Sequence, residues 1–440
     1  MRSRVQLRQR QRASWALILG VPLGLALLAA LVGAWAYETD ARVQVRVLEF
    51  WGQVRDVVAP HPANLPTPVQ AASVPTLVLP PTPSPEATAT AAATTATTGL
   101  STPIVEPTDL PPTPTPTPLP ASATLSGLKY EPQLFNNCGP ASLSINLSYW
   151  EWKGNQKDVA AVVKPNQYDR NVSPRELYEY LLTQGFDAYI RVNGDLDTLK
   201  RFIAAGYPVL VEKGYTCEKG ERCSGWFGHY SVFTGYDDAE SYFITQDTFR
   251  GPDLKLSYDY VLTNWRAFDY LYLVVFPAGA ERDAEVAALL GAAADLNRNY
   301  HDALARAQNE ALALTGEDAA FAWFNVGTNL YYLQDYAGAA AAYDQARQTG
   351  LPYRMLWYQF GPYRSYYQMA RYQDVIDLAT FAINGAIGEP GLEEAYFWRG
   401  QAEEALGQPD QAIEDYRTAL VRHPDYQDAL GALAALGVTP

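Results

Sequence analysis

The chain has 440 residues, 48% hydrophobic and 12% aromatic, enough apolar content to bury more than one core. Its formal net charge of -15 excludes nucleic acid as a partner, because phosphate binding needs clustered Lys and Arg. Helix-turn-helix, zinc-finger spacing and phosphate-cradling glycine loops are absent from the sequence as well.

Residues 1–13 form a basic tail, with Arg2, Arg4, Arg8, Arg10 and Arg12 and no acid. Residues 14–37, "SWALILGVPLGLALLAALVGAWAY", carry no charged side chain and are long enough to cross a hydrocarbon core of about 30 Å as one transmembrane helix. Arginines on the leading side keep that end cytoplasmic, so the bulk of the chain is expected to be extracytoplasmic on a single-pass membrane anchor. A cleaved signal peptide is the rival reading, since Ala34-Trp35-Ala36 fits a small-x-small cleavage pattern, although the apolar stretch is long for one. Both readings export the chain from residue 38 onward.

Residues 38–58 mix charged and apolar residues, as a short helix near the membrane surface would. Residues 59–125, with runs such as "PPTPTPTPLP", offer little apolar surface to offset the entropy of ordering and read as a disordered Pro/Thr-rich linker. Such a linker spans roughly 45 Å as a flexible coil and up to about 200 Å as polyproline II.

Residues 126–278 carry mixed signals. "PASLSINLSYWEW" and "SPRELYEYLLTQGF" have helical spacing, with Ser173 before Pro174 as a helix start. "DLDTLKRFIAAGYPVLVEKG" reads as a helix, a turn and a buried strand, and "HYSVFTGYDD", "SYFITQD" and "YLYLVVFP" as strands. Helices first and strands afterwards predict an α+β domain.

Residues 281–440 contain an internal repeat. Trp323, Gly327, Tyr336, Ala339, Tyr343 and Ala346 set one register, followed by Trp357, Gly361, Tyr372, Val375, Ala379 and Ala382. A third copy runs Tyr396, Gly400, Ala412, Tyr416, Ala419 and Pro424, and a weaker, earlier one runs Gly291, Tyr300, Ala303 and Ala307. Small residues where helices cross and aromatics beside them give pairs that bury their open faces only against the next pair. The pattern resembles the tetratricopeptide repeat, an all-α solenoid with 425–436 as a capping helix, and implies a protein partner on the repeats.

The reactive groups of residues 126–278 are few. His61 falls in the linker and His301 and His423 in the repeats, so His229 is the histidine left to this segment. Cys217 and Cys223, in "CEKGERC", have a spacing that favours a local disulfide in an exported protein. Cys138, in "QLFNNCGPAS", is then alone, and a lone exported cysteine is either deeply buried or reactive. Gly139-Pro140 suit a turn into a helix, whose dipole and free N–H groups lower the pKa of a thiol at its start. A hairpin turning around Asp238 sets His229 opposite Asp247, as an orienting carboxylate must stand. Gln133 precedes the cysteine and can donate to an oxyanion.

"QLFNNCGPAS", then "DLDTLKRFIAAGYPVLV", then "GHYSVFTGYDD" with "ITQD" is similar to the papain-like cysteine peptidases of the bacteriocin-processing, double-glycine type, in the branch not fused to a transporter. The resemblance covers 126–278. It implies Cys138 as nucleophile, His229 as general base, Asp247 as its orienter, Gln133 in the oxyanion hole, a thioester intermediate, a peptide or protein substrate, and no metal or organic cofactor. Asp247 is followed by Thr248 where the family commonly has a proline, and a domain outside the membrane makes a double-glycine leader an unsuitable substrate. A non-catalytic adaptor and an amidase or acyltransferase with the same triad are the other readings.

Overall fold

The computed structural model describes residues 43, 46, 47, 50, 51, 54, 63–68 and 118–440, apart from 167, 170, 219, 220, 222, 224 and 386–391. The basic tail and the 14–37 span lie outside the described residues, as does most of the 59–125 segment. Among the described residues no helix is long and apolar enough to cross a membrane.

Two pieces of the expected linker are built into the folded body. Residues 63–68 lie on the repeats: the Leu65 N–H donates to Leu351 O at 2.9 Å, the Tyr353 N–H donates to Ala63 O at 3.1 Å, and Leu65 is buried. Strand β1, Ser122–Thr124, pairs with residues 235–237. Composition averages over a segment, so it misses one leucine with an apolar slot to fill and three residues with a free strand edge.

The segment continues with three helices, α1 (Cys138–Tyr149), α2 (Gln156–Val163) and α3 (Pro174–Thr183). Local chemistry sets their starts: Asn155 with Asp158 and Ser173 with Glu176 form reciprocal capping boxes, and Pro174 occupies the first turn of α3. Next come β2 (Phe186–Arg191), α4 (Leu196–Ala204), β3 (Val209–Thr216), β4 (Trp226–Asp237), β5 (Tyr242–Asp247), β6 (Gly251–Ser257), α5 (Tyr258–Trp265) and β7 (Tyr272–Pro277). The strands form one antiparallel sheet in the order β2-β7-β3-β4-β5-β6, with β1 beside the end of β4 that β3 does not reach. Alternation along β3 and β4 sends Leu210, Tyr230 and Val232 into a core with α1, α2 and α3. It sends Val209, Val211 and Phe233 into a second core with α4 and α5. This is the mixed helix-and-strand domain read from the sequence, with the sheet covered on both faces.

The helical part begins with α6 (Ala280–Leu290) and α7 (Leu296–Ala313). It continues with α8 (Gly316–Tyr332), α9 (Tyr336–Thr349), α10 (Gly361–Gln368) and α11 (Tyr372–Gly385). The last three are α12 (Glu393–Ala405), α13 (Pro409–Arg422) and α14 (Gln427–Ala435). The sequence register explains the crossings. A Cβ on Gly327 would stand 2.7 Å from the Tyr343 ring, and one on Gly400 would stand 2.7 Å from Tyr416, so each tyrosine lies where only glycine admits it. The weak first copy is not a solenoid pair: α6 buries Val286 and Leu290 in the core beneath the sheet, while α7 packs on α8. The solenoid therefore starts at α7, because the apolar face of α6 finds the sheet before it finds another helix.

Sheet and repeats share a seam. Trp226 of β4 lies between Phe268 and Phe321, with ring centroids at 6.0 and 5.7 Å, and Tyr358 meets it edge-on at 5.9 Å. Asn325 and Gln359 donate to the carbonyls of Arg266 and Ala267, each at 2.8 Å, and Asn329 donates to Asp269 at 2.8 Å. Removing the buried indole with Trp226→Ala is expected to cost about 3–5 kcal/mol in urea unfolding followed by circular dichroism. Leu312→Ala, at an exposed position, is the control and should stay within about 0.5 kcal/mol.

Candidate active site

Cys138 is the first residue of α1, where backbone N–H groups have no intrahelical partner. The approach to it is held by polar side chains. Residues Leu134 to Asn137 make a turn closed by Asn137 N–H to Leu134 O at 3.2 Å, with Asn136 left-handed at φ 51. Gln156 braces that turn, its Oε1 accepting from the Leu134 N–H and from Asn137 Nδ2, each at 2.8 Å. Its Nε2 donates to Glu131 and to Pro132 O, also at 2.8 Å, and Glu131 accepts from Ser144 of α1. Lys164 donates to Phe135 O at 3.0 Å.

His229 projects from β4 and is buried, as is Asp247 at the end of β5. His229 Nε2 donates to Asp247 Oδ1 at 3.0 Å. The register differs from the sequence expectation. Asp247 is directly opposite Ser231, and a bulge lies between Phe233 and Gly235, so the hairpin is shifted toward its turn. The acid still meets the histidine because residues 229 and 231 share a face. Asp247 takes both: Ser231 Oγ donates to Oδ2 at 3.1 Å. The N–H groups of Phe249 and Arg250 donate to Oδ1 at 3.0 and 2.9 Å, an Asx turn that closes β5 onto β6.

The site's electrostatics follow from these contacts. Burial would push the Asp247 carboxyl up, but the charge and hydrogen bond of His229, then Lys213 and the Arg250 N–H, hold it well below the usual carboxylate range. Burial would lower His229, and the Asp247 charge and hydrogen bond, with the Cys138 thiol, raise it above 6.5. Burial would raise the Cys138 thiol, and the nearby His229 ring with its charge and the N–H groups of Tyr230 and Gly139 bring it below 9.0. His229 Nδ1 is buried and makes no closely aligned hydrogen bond, which leaves it as the ring nitrogen facing the thiol. The rings of Tyr215, Phe227 and Phe249 surround the imidazole with centroids 6.1 to 6.4 Å away. The result is a partly exposed thiol beside an imidazole whose charged form Asp247 favours, an arrangement suited to nucleophilic attack on a carbonyl.

Gln133 is joined to the acid's strand end. Its N–H donates to Thr248 O at 3.0 Å, and its Oε1 accepts from Thr248 Oγ1 at 2.9 Å. The amide nitrogen Nε2 has no partner among the described residues. Thr248, where the family commonly has proline, thus holds the amide. Cys217 and Cys223 are joined as a disulfide beyond the end of β3, with Cα atoms 5.7 Å apart.

Sequence reasoning missed Lys213, Ser231 and Gln156. Lys213 pairs with His229 across β3 and β4, is buried, and stands 3.8 Å from Asp247 Oδ2. Its signal was "VLVEK": a Glu-Lys pair in a strand buried on both faces has one charge on each side. Glu212, on the other side, is buried, and that burial pushes its carboxyl well above the usual range.

Residues 126–272 match the family described as Peptidase_C39 like, and residues 393–436 match the tetratricopeptide repeat. The chain carries a peptidase C39-like domain followed by a tetratricopeptide repeat. Among solved structures, a C39-like peptidase from Bacillus anthracis is 16% identical with a TM-score of 0.28, covering 36% of this chain and 98% of its own. The peptidase domain of Streptococcus ComA, a bi-functional ABC transporter involved in a quorum-sensing pathway, is 20% identical with a TM-score of 0.28, covering 34% and 99%. The first tetratricopeptide repeat of Spaghetti, bound to an HSP90 peptide, is 18% identical with a TM-score of 0.24, covering 28% and 94%. No curated protein matches the chain significantly.

Within this C39-like domain two outcomes are expected. Gln156→Ala leaves the buried Asn137 amide and the Leu134 N–H unpaired, at about 1–3 kcal/mol each in chemical denaturation, and slows alkylation of Cys138. The second concerns pH. The thiolate–imidazolium form exists above the lowered thiol pKa and below the raised histidine pKa. Alkylation by a neutral haloacetamide should therefore have its acidic limb below 9.0, and Asp247→Asn, removing the charge that raises His229, should move the ring's titration, read by NMR, to lower pH.

Proposed function

We propose that the chain is a membrane-anchored, extracytoplasmic cysteine peptidase working through Cys138, His229 and Asp247. The observation that carries this reading is the meeting of the partly exposed, free Cys138 thiol with the buried His229 ring and an Asp247 carboxylate bound to that ring at 3.0 Å. The family match over residues 126–272 supports the same chemistry.

The Cys138 sulfur attacks the scissile carbonyl carbon, and its electron pair forms the C–S bond as the carbonyl π pair moves to oxygen. In this reading the first-turn N–H groups of α1 and the Gln133 amide receive that oxyanion. His229 gives its Nδ1 proton to the departing amine, the C–N bond breaks, and a thioester remains. Water then attacks the thioester with His229 as base, which releases the acid and restores the thiolate–imidazolium pair. Asp247 keeps the ring oriented and stabilises its charged form throughout, and Lys213 balances the carboxylate from the other side.

The uncharged 14–37 span behind an arginine tail supports a membrane anchor with the folded body outside. The joining of Cys217 and Cys223 fits an oxidising compartment. The repeats supply a surface for a protein partner or substrate.

An activity-based thiol probe on the full-length chain, with a mixed peptide library as substrate, tests the reading. Labelling at Cys138 that falls at least about 100-fold in His229→Ala, together with peptide cleavage lost in Cys138→Ala, is the expected result. Labelling without any cleavage would point to amide transfer or cell-wall amidase chemistry. An unreactive thiol would leave a binding module.

A further inference from the structure

We infer that Glu176, Glu393 and His423 form a binding site for a divalent transition-series cation that pins the C-terminal repeats to the peptidase domain. The three come from separate elements: Glu176 from the first turn of α3, Glu393 from the first residue of α12, and His423 from the end of α13. One ligand atom from each lies within 4.8 Å of the others. His423 Nδ1 and Glu393 Oε1 are already 3.0 Å apart, close to the spacing of two ligands on one zinc ion with bonds of about 2.0–2.2 Å.

The independent sign of a missing ligand is Glu393 itself. It is 2% exposed, and its Oε2 has no hydrogen-bond donor among the described residues. A carboxylate oxygen held out of water without a donor is costly, and a cation removes that cost. Asp169, buried on the loop before α3, and Glu394, next to Glu393 in the chain, bring two more carboxyl groups to the same cluster.

Donor chemistry narrows the ion. An imidazole with two carboxylates and no thiolate suits Zn2+ and its neighbours, whereas Ca2+ and Mg2+ prefer all-oxygen shells. Glu176 has one oxygen committed, Oε2 accepting from the Ser173 N–H and from Ser173 Oγ, each at 2.7 Å. Its side chain is therefore already oriented at the site. The same loop reaches the nucleophile's helix: a Cβ on Gly139 would meet Val172 at 3.4 Å. No sequence motif announces the site, because its ligands are far apart in the chain.

The test uses the full-length chain carrying Cys138→Ser, so that the active-site thiol cannot capture metal, stripped with chelator and titrated with Zn2+ alone. The expected result is one Zn2+ per chain by mass spectrometry and an unfolding midpoint at least about 4 °C higher with metal. His423→Gln and Glu393→Gln should each weaken Zn2+ binding at least about 10-fold and abolish the midpoint rise. Metal-free Glu393→Gln is compared with its metal-free parent, so that a loss of fold is told apart from a loss of metal. If that variant fails to fold, His423→Gln decides alone. No stoichiometric Zn2+ binding, or binding unchanged in His423→Gln, overturns the proposal.

Discussion

Asp247 is wholly buried, and a carboxylate out of water must either collect donors or take up a proton. It collects them from three directions, the His229 ring, the Ser231 hydroxyl and the N–H groups of Phe249 and Arg250, with the Lys213 ammonium 3.8 Å away as an ion-pair partner. Much of the domain can be traced to that requirement. The turn from β5 to β6 closes on the carboxylate, β3 brings Lys213 alongside it, and Thr248 carries Gln133 into place. A charged Asp247 in turn makes a charged His229 tolerable in an aromatic surround, and a charged His229 favours the thiolate.

Cys138 reaches this centre from another part of the chain, so its position depends on a second network. Glu131 and Gln156 tie the residues before Cys138 to α1 and α2, and Tyr230 ties β4 to the loop before α3 by donating to Val172 O at 3.1 Å. The repeats contribute to the same rigidity. Trp226, at the start of β4 and close in sequence to His229, is sandwiched between a ring from the turn after α5 and a ring from α8. The peptidase-like sheet and the solenoid are in this respect one packed body.

Several parts of this were legible in the sequence. A lone cysteine before Gly-Pro marked a helix start, and the structure begins α1 at Cys138. Counting along a hairpin brought Asp247 near His229 although the register was wrong by two residues, because an even slip preserves the face. The spacing of Gly327 from Tyr343 and of Gly400 from Tyr416 set the solenoid register. What stayed hidden depends on contacts between distant segments. The place of Lys213 beside Asp247 depends on β3 being central in the sheet, and that of Gln156 on the turn before Cys138 folding back onto α2. The fate of α6 was decided by competition between two apolar surfaces, which no local pattern records.

The segment around Leu65 bears on how the protein carries mechanical load. Residues 63–68 are fastened to the repeats by backbone bonds to Leu351 and Tyr353 and by Arg347, which donates to Pro66 O at 2.9 Å. Residues 63–68 and β1 both rest on the folded body formed by the sheet and the repeats. Tension applied at the N-terminal side enters the body at Leu65, on the solenoid. The β1 strand beside β4 is relieved of that force for as long as the Leu65 fastening holds.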